Sequence, residues 1–277
     1  METKPKLRAP AGTTDTHIHF FSKRYPRAAT ARMDPPDASH ADYLAMCKRL
    51  GIERTVVVQS SIYGTDNAMV TDGIAAIGRQ RARGVAVIDE TASDAALERL
   101  ARAGVCGQRF HMLPGGVIPW DRVERIAARV QEAGWHSQIQ LDGREWPERS
   151  DLVRRLPGTL VIDHTGKFLE PVAPDHAAFK LLLGLVGEGR TYVKLSAPYE
   201  TSRAGPPHYE DVGRLAKALV AAAPDRMLWA SNWPHPTPGP TGKPDDAVLL
   251  DVLLAWVPDA AVRQRILVDN PARLYGF

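Results

Sequence analysis

The sequence predicts a single (β/α)8 barrel of the TIM type over residues 1–277. Three observations carry that expectation. The chain has 277 residues, which is comfortable for one such barrel at roughly 250. Eight β-rich apolar segments occur along it, nearly all separated by stretches of helical periodicity, and eight βα units are the barrel number. Runs such as Thr55-Val56-Val57-Val58 and Leu160-Val161-Ile162 are apolar without alternation, as strands covered on both faces of a parallel sheet require.

The elements follow in order. Strand 14–19 opens the chain and a helix is expected near 41–50. Strand 54–60 leads to a helix at 67–81, and strand 84–89 to a helix at 95–103. Strand 105–112 precedes a helix at 121–133, and strand 136–141 one at 149–156. Strand 160–164 is followed by a helix at 176–187, and strand 192–196 by one at 209–223. Strand 227–233 closes the set, with terminal helices at 245–256 and 259–268. The Pro- and Gly-rich stretch 234–244 reads as a long loop after strand eight rather than a domain boundary. A doubly wound sheet is the rival, but no Gly-x-Gly-x-x-Gly follows any strand, so a dinucleotide fold has no fingerprint.

Charge and composition exclude several classes of function. The formal net charge is only +3, and the basic residues are scattered, so nucleic acid is not an expected partner. No apolar run approaches the ~20 residues needed to span a bilayer. Residues 1–10 contain no apolar stretch of signal-peptide type, and the expected location is the cytoplasm. Cys47 and Cys106 fall in a helical and a strand pattern without any Cys-x-x-Cys, which suits buried thiols better than a disulfide or zinc ribbon. Oligomeric state is not legible.

Polar residues gather where strands end, and in a barrel those C-terminal ends form the active-site face. Asp15-Thr16-His17-Ile18-His19 ends strand one, and its two imidazoles point the same way from an extended backbone. Arg109 and His111 share a face of strand four, as do Gln138 and Gln140 on strand five. Asp163-His164 ends strand six, and Ser231-Asn232-Trp233-Pro234-His235 ends strand eight. A lone histidine is usually a satisfied core residue. Histidines at three strand ends point instead to chemistry, with His17, His19, His164 and Asn232 as the catalytic candidates. The remaining tryptophans have plainer readings: Trp135 and Trp256 as packing residues, and Trp120 as a staple before its helix. His136 opens strand five, on the stability face. Asn270 and Pro271 read as the N-cap and first residue of a terminal helix.

The His17-x-His19 pair, His164 and the Ser231–His235 stretch resemble the amidohydrolase superfamily, close to its 2-pyrone-4,6-dicarboxylate lactonase and sugar-lactone group. Supporting stretches are Val56-Val57-Val58-Gln59-Ser60-Ser61, Tyr63-Gly64-Thr65-Asp66-Asn67, Val161-Ile162-Asp163-His164 and Val268-Asp269-Asn270-Pro271-Ala272-Arg273-Leu274-Tyr275. The likeness spans nearly the whole chain. It implies a small-molecule lactone as substrate and, in this group, catalysis without a cofactor or metal. It also implies substrate contacts from Arg109, Ser61 and Tyr63. Position adds Gln140, His235 and Trp233, which adjoins Asn232, as substrate contacts, with Arg24 and Tyr25 after strand one as a cover. A single divalent ion such as zinc is the alternative, held by His17, His19 and His164 with an open fourth position.

Two departures from the superfamily pattern shape the expected reaction. Binuclear members use a strand-four lysine and a strand-five histidine, where this sequence has Arg109 and Gln138 or Gln140. Hydrolytic members carry aspartate on strand eight, where this chain has Asn232, an amide that can neither take a proton from water nor neutralise a cation well. Gln140 also replaces a tyrosine, and Glu200 stands near an arginine, of the dicarboxylate lactonase. Together these favour a polyhydroxylated sugar-acid lactone, isomerised when one of its own hydroxyls attacks the ester carbonyl. Histidine would move the proton. Hydrolysis, with a histidine or Asp163 activating water, is the alternative. A mononuclear zinc hydrolase or decarboxylase and a non-catalytic sugar-acid binder are the further rivals.

Overall fold

A computed structural model describes residues 3–277, so the first two residues of the N-terminal stretch lie outside the described part. Its eight strands form one parallel sheet in sequential order: β1 (Thr14–Ile18), β2 (Arg54–Val58), β3 (Ala82–Ala86), β4 (Val105–His111), β5 (His136–Gln140), β6 (Leu160–Ile162), β7 (Thr191–Ser196) and β8 (Met227–Ala230). The sheet closes just beyond β8. Asn232 N donates to the His17 carbonyl at 3.0 Å, and His19 N donates to the Trp233 carbonyl at 2.8 Å. The expected (β/α)8 barrel is the fold.

Helices cover the sheet between strands: α1 (His40–Leu50), α2 (Ala68–Ile77), α3 (Asp94–Ala103), α4 (Trp120–Glu132), α5 (Trp146–Arg155), α6 (Ala177–Gly187), α7 (Glu210–Ala222) and α8 (Asp246–Trp256). Their apolar faces pack on outward-facing strand residues such as Val57, Ile139 and Val193 in one large core. The alternate residues Val56, Val58, Val85, Val161, Tyr192 and Leu228 form a separate cluster with Tyr275. Strand alternation therefore divides the apolar runs between two cores.

Local chemistry explains where elements differ from expectation. The predicted helix over 67–81 stops at Ile77 because Gly78 turns the chain at φ 96°. Strand β3 starts and ends earlier than 84–89, and Val87 N instead donates to the Asn67 amide at 2.8 Å. The terminal helix expected over 259–268 is α9 (Ala260–Gln264), which runs through a wider turn into α10 (Asn270–Tyr275). Asn270 is not an N-cap. It has helical φ/ψ within this continuous run, and its amide donates to the Pro224 and Met227 carbonyls, tying the terminal helix to the start of β8. Cys47 and Cys106 are free thiols, and Trp135 and Trp256 are buried packing residues.

Candidate active site

A cavity of about 270 Å³ opens at the C-terminal ends of the strands, walled by His19, Ser61, Arg109, His111, Gln140, His164, Lys167, Glu200 and Asn232 among others. The period of two along β4 and β5 sends Arg109, His111 and Gln140 inward, and the turns after the other strands bring in Ser61, His164, Lys167, Glu200 and Asn232. Six expected residues meet there: His19, His164, Asn232, Arg109, Ser61 and Gln140.

Four others stand off the wall. His17 is fully buried behind it, with Nδ1 3.2 Å from Asp163 Oδ1 and Nε2 3.2 Å from His19 Nε2. Tyr63, expected as a substrate contact, is turned toward the loop after β1, where its hydroxyl donates to the Ser22 carbonyl and accepts from Ser22 N. Trp233 packs on Phe20 and Tyr43 in the β1–β8 seam rather than walling the pocket. His235 lies one layer out, between the Tyr199 hydroxyl and Asp246. The reason is local: the turn after β8, in which His235 N donates to the Asn232 carbonyl at 2.9 Å, leaves Asn232 as the one residue of 232–235 on the cavity wall. Arg24 and Tyr25 pair with Asp72 on an exposed loop.

The sequence reading missed the charged layer beneath the cavity. Lys194, on the inward face of β7, is fully buried, with its ammonium 2.7 Å from Gln138 Oε1, 3.3 Å from His17 Nδ1 and 3.5 Å from Asp163 Oδ1. Arg109 reaches Asp163 from the other side at 3.4 Å and donates to the Gln59 carbonyl and the Gln140 amide oxygen. Lys167 enters from the turn after β6, at φ 48°, and pairs with Glu200. A lysine in a strand pattern looks like a solvated residue. The available signal was its period-two register with Ser196, which puts both on one face of β7.

Electrostatics follow from burial and these partners. Burial pushes the His17 imidazole down to about 3 and holds His19 and His164 well below the usual range, with like-charge effects of neighbouring groups adding to it. All three are neutral near pH 7. Burial works to raise Asp163, but the positive field of its neighbours, Lys194 among them, overcomes it and keeps the carboxylate ionised. Burial lowers Lys194 to about 8. Burial and then Arg109 bring Lys167 down to about 7, against the pull of the Asp163 carboxylate. The cavity thus has cationic walls at Arg109 and Lys167, facing neutral imidazoles and one carboxylate.

Hydrogen bonds fix the tautomers that matter. His19 Nδ1–H donates to the Val58 carbonyl at 2.8 Å, leaving the lone pair on Nε2. Ser196 Oγ donates its proton to the Lys194 carbonyl at 3.4 Å, so His164 Nδ1–H donates to Ser196 Oγ at 2.9 Å, again leaving the Nε2 lone pair. His17 bonds Asp163 when its proton is on Nδ1 and His19 when it is on Nε2.

The donor set was tested for a divalent ion. Among the described residues, the ligand atoms of His17, Asp163 and His164 lie within 4.8 Å of one another; His19 lies outside that group, which corrects the expected three-histidine set. Imidazole and carboxylate donors suit zinc. However, Asp163 is already engaged by Lys194 and Arg109, and Asn232 brings no charge to the strand-eight position. The fit is poor, and no chemistry is assigned to an ion.

A closed parallel barrel with His-x-His at the first strand end and histidine at the sixth defines an amidohydrolase-type enzyme. The Amidohydro_2 (amidohydrolase) family model matches residues 14–277, and the chain belongs to that family. Among its relatives, the "2-pyrone-4,6-dicarbaxylate hydrolase" of Comamonas testosteroni is 37% identical over 99% of this chain and 93% of its own. The "D-galactarolactone isomerase" of Agrobacterium fabrum is 33% identical over 99% and 94%. An apo crystal structure from Agrobacterium tumefaciens superimposes with TM-score 0.91 at 32% identity, covering 99% of this chain and 98% of that one. Among the described residues no helix is long and apolar enough to cross a membrane.

Proposed function

We propose that this enzyme isomerises a lactone of a polyhydroxylated sugar acid by internal acyl transfer, without a metal. The observation that carries the reading is Asn232. At the strand-eight position its amide nitrogen is bound by Tyr199 and Glu200, so this residue offers no base for water. The relative named as a lactone isomerase supports it.

In this reading Arg109 and Lys167 receive the substrate's carboxylate and the charge that develops on the carbonyl oxygen. A substrate hydroxyl attacks the ester carbonyl while its proton passes to the His164 Nε2 lone pair. Collapse of the tetrahedral adduct breaks the original ring C–O bond, and His164 returns the proton to the departing oxygen. Neutral His164 suits the first step and the imidazolium it becomes suits the second, and proximity replaces a bound water. His17 and His19 hold the imidazole layer in place, and Ser61 and Gln140 bond ring hydroxyls.

Hydrolysis is the second reading, favoured by the relative named as a hydrolase. Asp163 is unsuited to activate water there, being fully buried and bonded to Gln138 at 3.1 Å as well as to its cationic neighbours. The base would be His164 or Glu200. NMR of a panel of aldaric- and aldonic-acid lactones separates the two readings. A change of ring size without free acid supports isomerisation, and accumulating open-chain acid refutes it.

A further inference from the structure

Outside the cavity wall, a run of hydrogen bonds links Asp246, His235 and Tyr199 to Asn232. Tyr199, His235 and Asp246 do not line the cavity, and Asn232 does. Asn232 is thus the member of the run that meets the substrate.

The direction of each bond can be deduced. Asn232 Nδ2 lies 3.1 Å from Glu200 Oε1 and 2.8 Å from the Tyr199 hydroxyl. A carboxylate only accepts, so the nitrogen of the amide faces Glu200 and the carbonyl oxygen faces away. The Tyr199 hydroxyl accepts from Asn232, so its own proton goes to His235 Nδ1 at 3.2 Å. His235 Nε2–H then donates to Asp246 Oδ1 at 2.8 Å. Asp246 is fixed as the first residue of α8, with Arg49 3.6 Å from its other oxygen. Burial of the Tyr199 hydroxyl keeps it a phenol rather than a phenolate.

This leaves one group unsatisfied. Asn232 Oδ1 is buried without a hydrogen-bond partner, an unmade bond that a donor from the substrate would complete. The backbone holds it there: Asn232 has φ 60° and His235 φ 65°, in a turn that joins them. Asparagine tolerates this left-handed conformation better than most residues.

We propose that Asp246, His235 and Tyr199 form a directional relay that sets Asn232 with its carbonyl oxygen as acceptor for a hydroxyl of the substrate. The site thereby selects hydroxylated lactones over deoxy ones, and a carboxylate is refused at that point because it cannot donate. The inference rests on the proposed function only in taking the substrate to be a lactone; it holds for isomerisation and hydrolysis alike. The three outer residues are positioning residues.

The test compares kcat and KM for a hydroxylated aldaric-acid lactone and its deoxy counterpart across variants of the relay. Tyr199→Phe and His235→Leu should each lower kcat for the hydroxylated lactone roughly tenfold, as loss of one oriented hydrogen bond implies, with much less effect on the deoxy lactone. His235→Asn keeps an acceptor near the Nδ1 position and suits the positive φ, so it should retain most activity. Tyr199→Phe combined with Asn232→Ala should be no worse than Asn232→Ala alone. Equal losses on both substrates, or additive losses in the double variant, overturn the relay. Should Tyr199→Phe fail to fold, the His235→Leu and His235→Asn pair carries the comparison. If wild-type protein turns over no lactone, the functional reading fails separately. The relay is then decided by NMR of the Asn232 side-chain amide: slow proton exchange in wild type and fast exchange in Tyr199→Phe and His235→Leu support it, and equal rates refute it.

Discussion

Lys194 and His17 meet at 3.3 Å in the middle of the barrel, an ammonium against an imidazole with no water-exposed surface on either. The pair is tolerable because Asp163 lies within 3.5 Å of both. Lys194→Met keeps the bulk of the side chain but leaves Asp163 without its ammonium partner. Removing one member of a buried ion pair costs about 3–5 kcal/mol. Chemical denaturation of this variant should show a loss of that order, together with a sharp fall in turnover. Unchanged stability would mean that Lys194 is neutral.

Asn232→Asp tests the strand-eight amide. The new carboxylate would stand beside Glu200, a like charge in a partly desolvated site, which raises its pKa toward the range of a useful base. Hydrolytic product should rise relative to isomerised product, while total turnover falls because a bond to Glu200 or Tyr199 is lost. Equal, high hydrolysis by the Asp and Asn forms would contradict the role given to this residue.

Arg109→Lys tests recognition of the substrate's carboxylate. A lysine cannot reproduce a guanidinium that bonds Gln59, Gln140 and Asp163 at once. A loss of about 10- to 100-fold in kcat/KM, mostly in KM, is expected for charge-assisted bonds of this kind. A neutral lactone lacking the carboxylate should be affected far less.

Stability against acid tests the buried histidines. His136 is held at about 3, first by burial and then by Lys194. Its depressed value means that the neutral form stabilises the fold fully above the unfolded value near 6.5, and that this contribution is lost as pH falls toward 3. By pH 5 the loss from this residue is ~2 kcal/mol. His17 and His111, also held at about 3, act in the same direction. Urea midpoints should therefore fall steeply between pH 6 and 4. In His136→Leu the slope should be shallower by up to about one proton. Activity should be preserved, since His136 sits at the opposite end of β5 from the cavity.

The barrel was legible because its evidence is additive. Apolar runs such as 55–58 and 160–162 each mark a doubly covered strand, and eight β segments alternating with helical patterns leave few topologies. The histidine pair at the end of β1 was legible from period-two geometry, and His164 from its place just past a strand end, although the chain there has already turned, with φ 53° at His164. Tyr63, Trp233 and His235 stand off the cavity wall because they lie in turns, where the alternation rule ends and φ values such as 65° at His235 redirect the side chain. Lys194 and Lys167 were missed because a lysine's burial depends on partners far away in sequence. Asp163 lies 31 residues from Lys194 in number and directly beneath the site in space.

The central claim is that the acyl group moves between oxygens of one molecule, with no water entering. Turnover of a lactone in H2¹⁸O followed by mass spectrometry tests it directly. The expected result is a ring-isomerised product carrying no ¹⁸O from solvent. Product that takes up one ¹⁸O per turnover would contradict it and establish water as the attacking group.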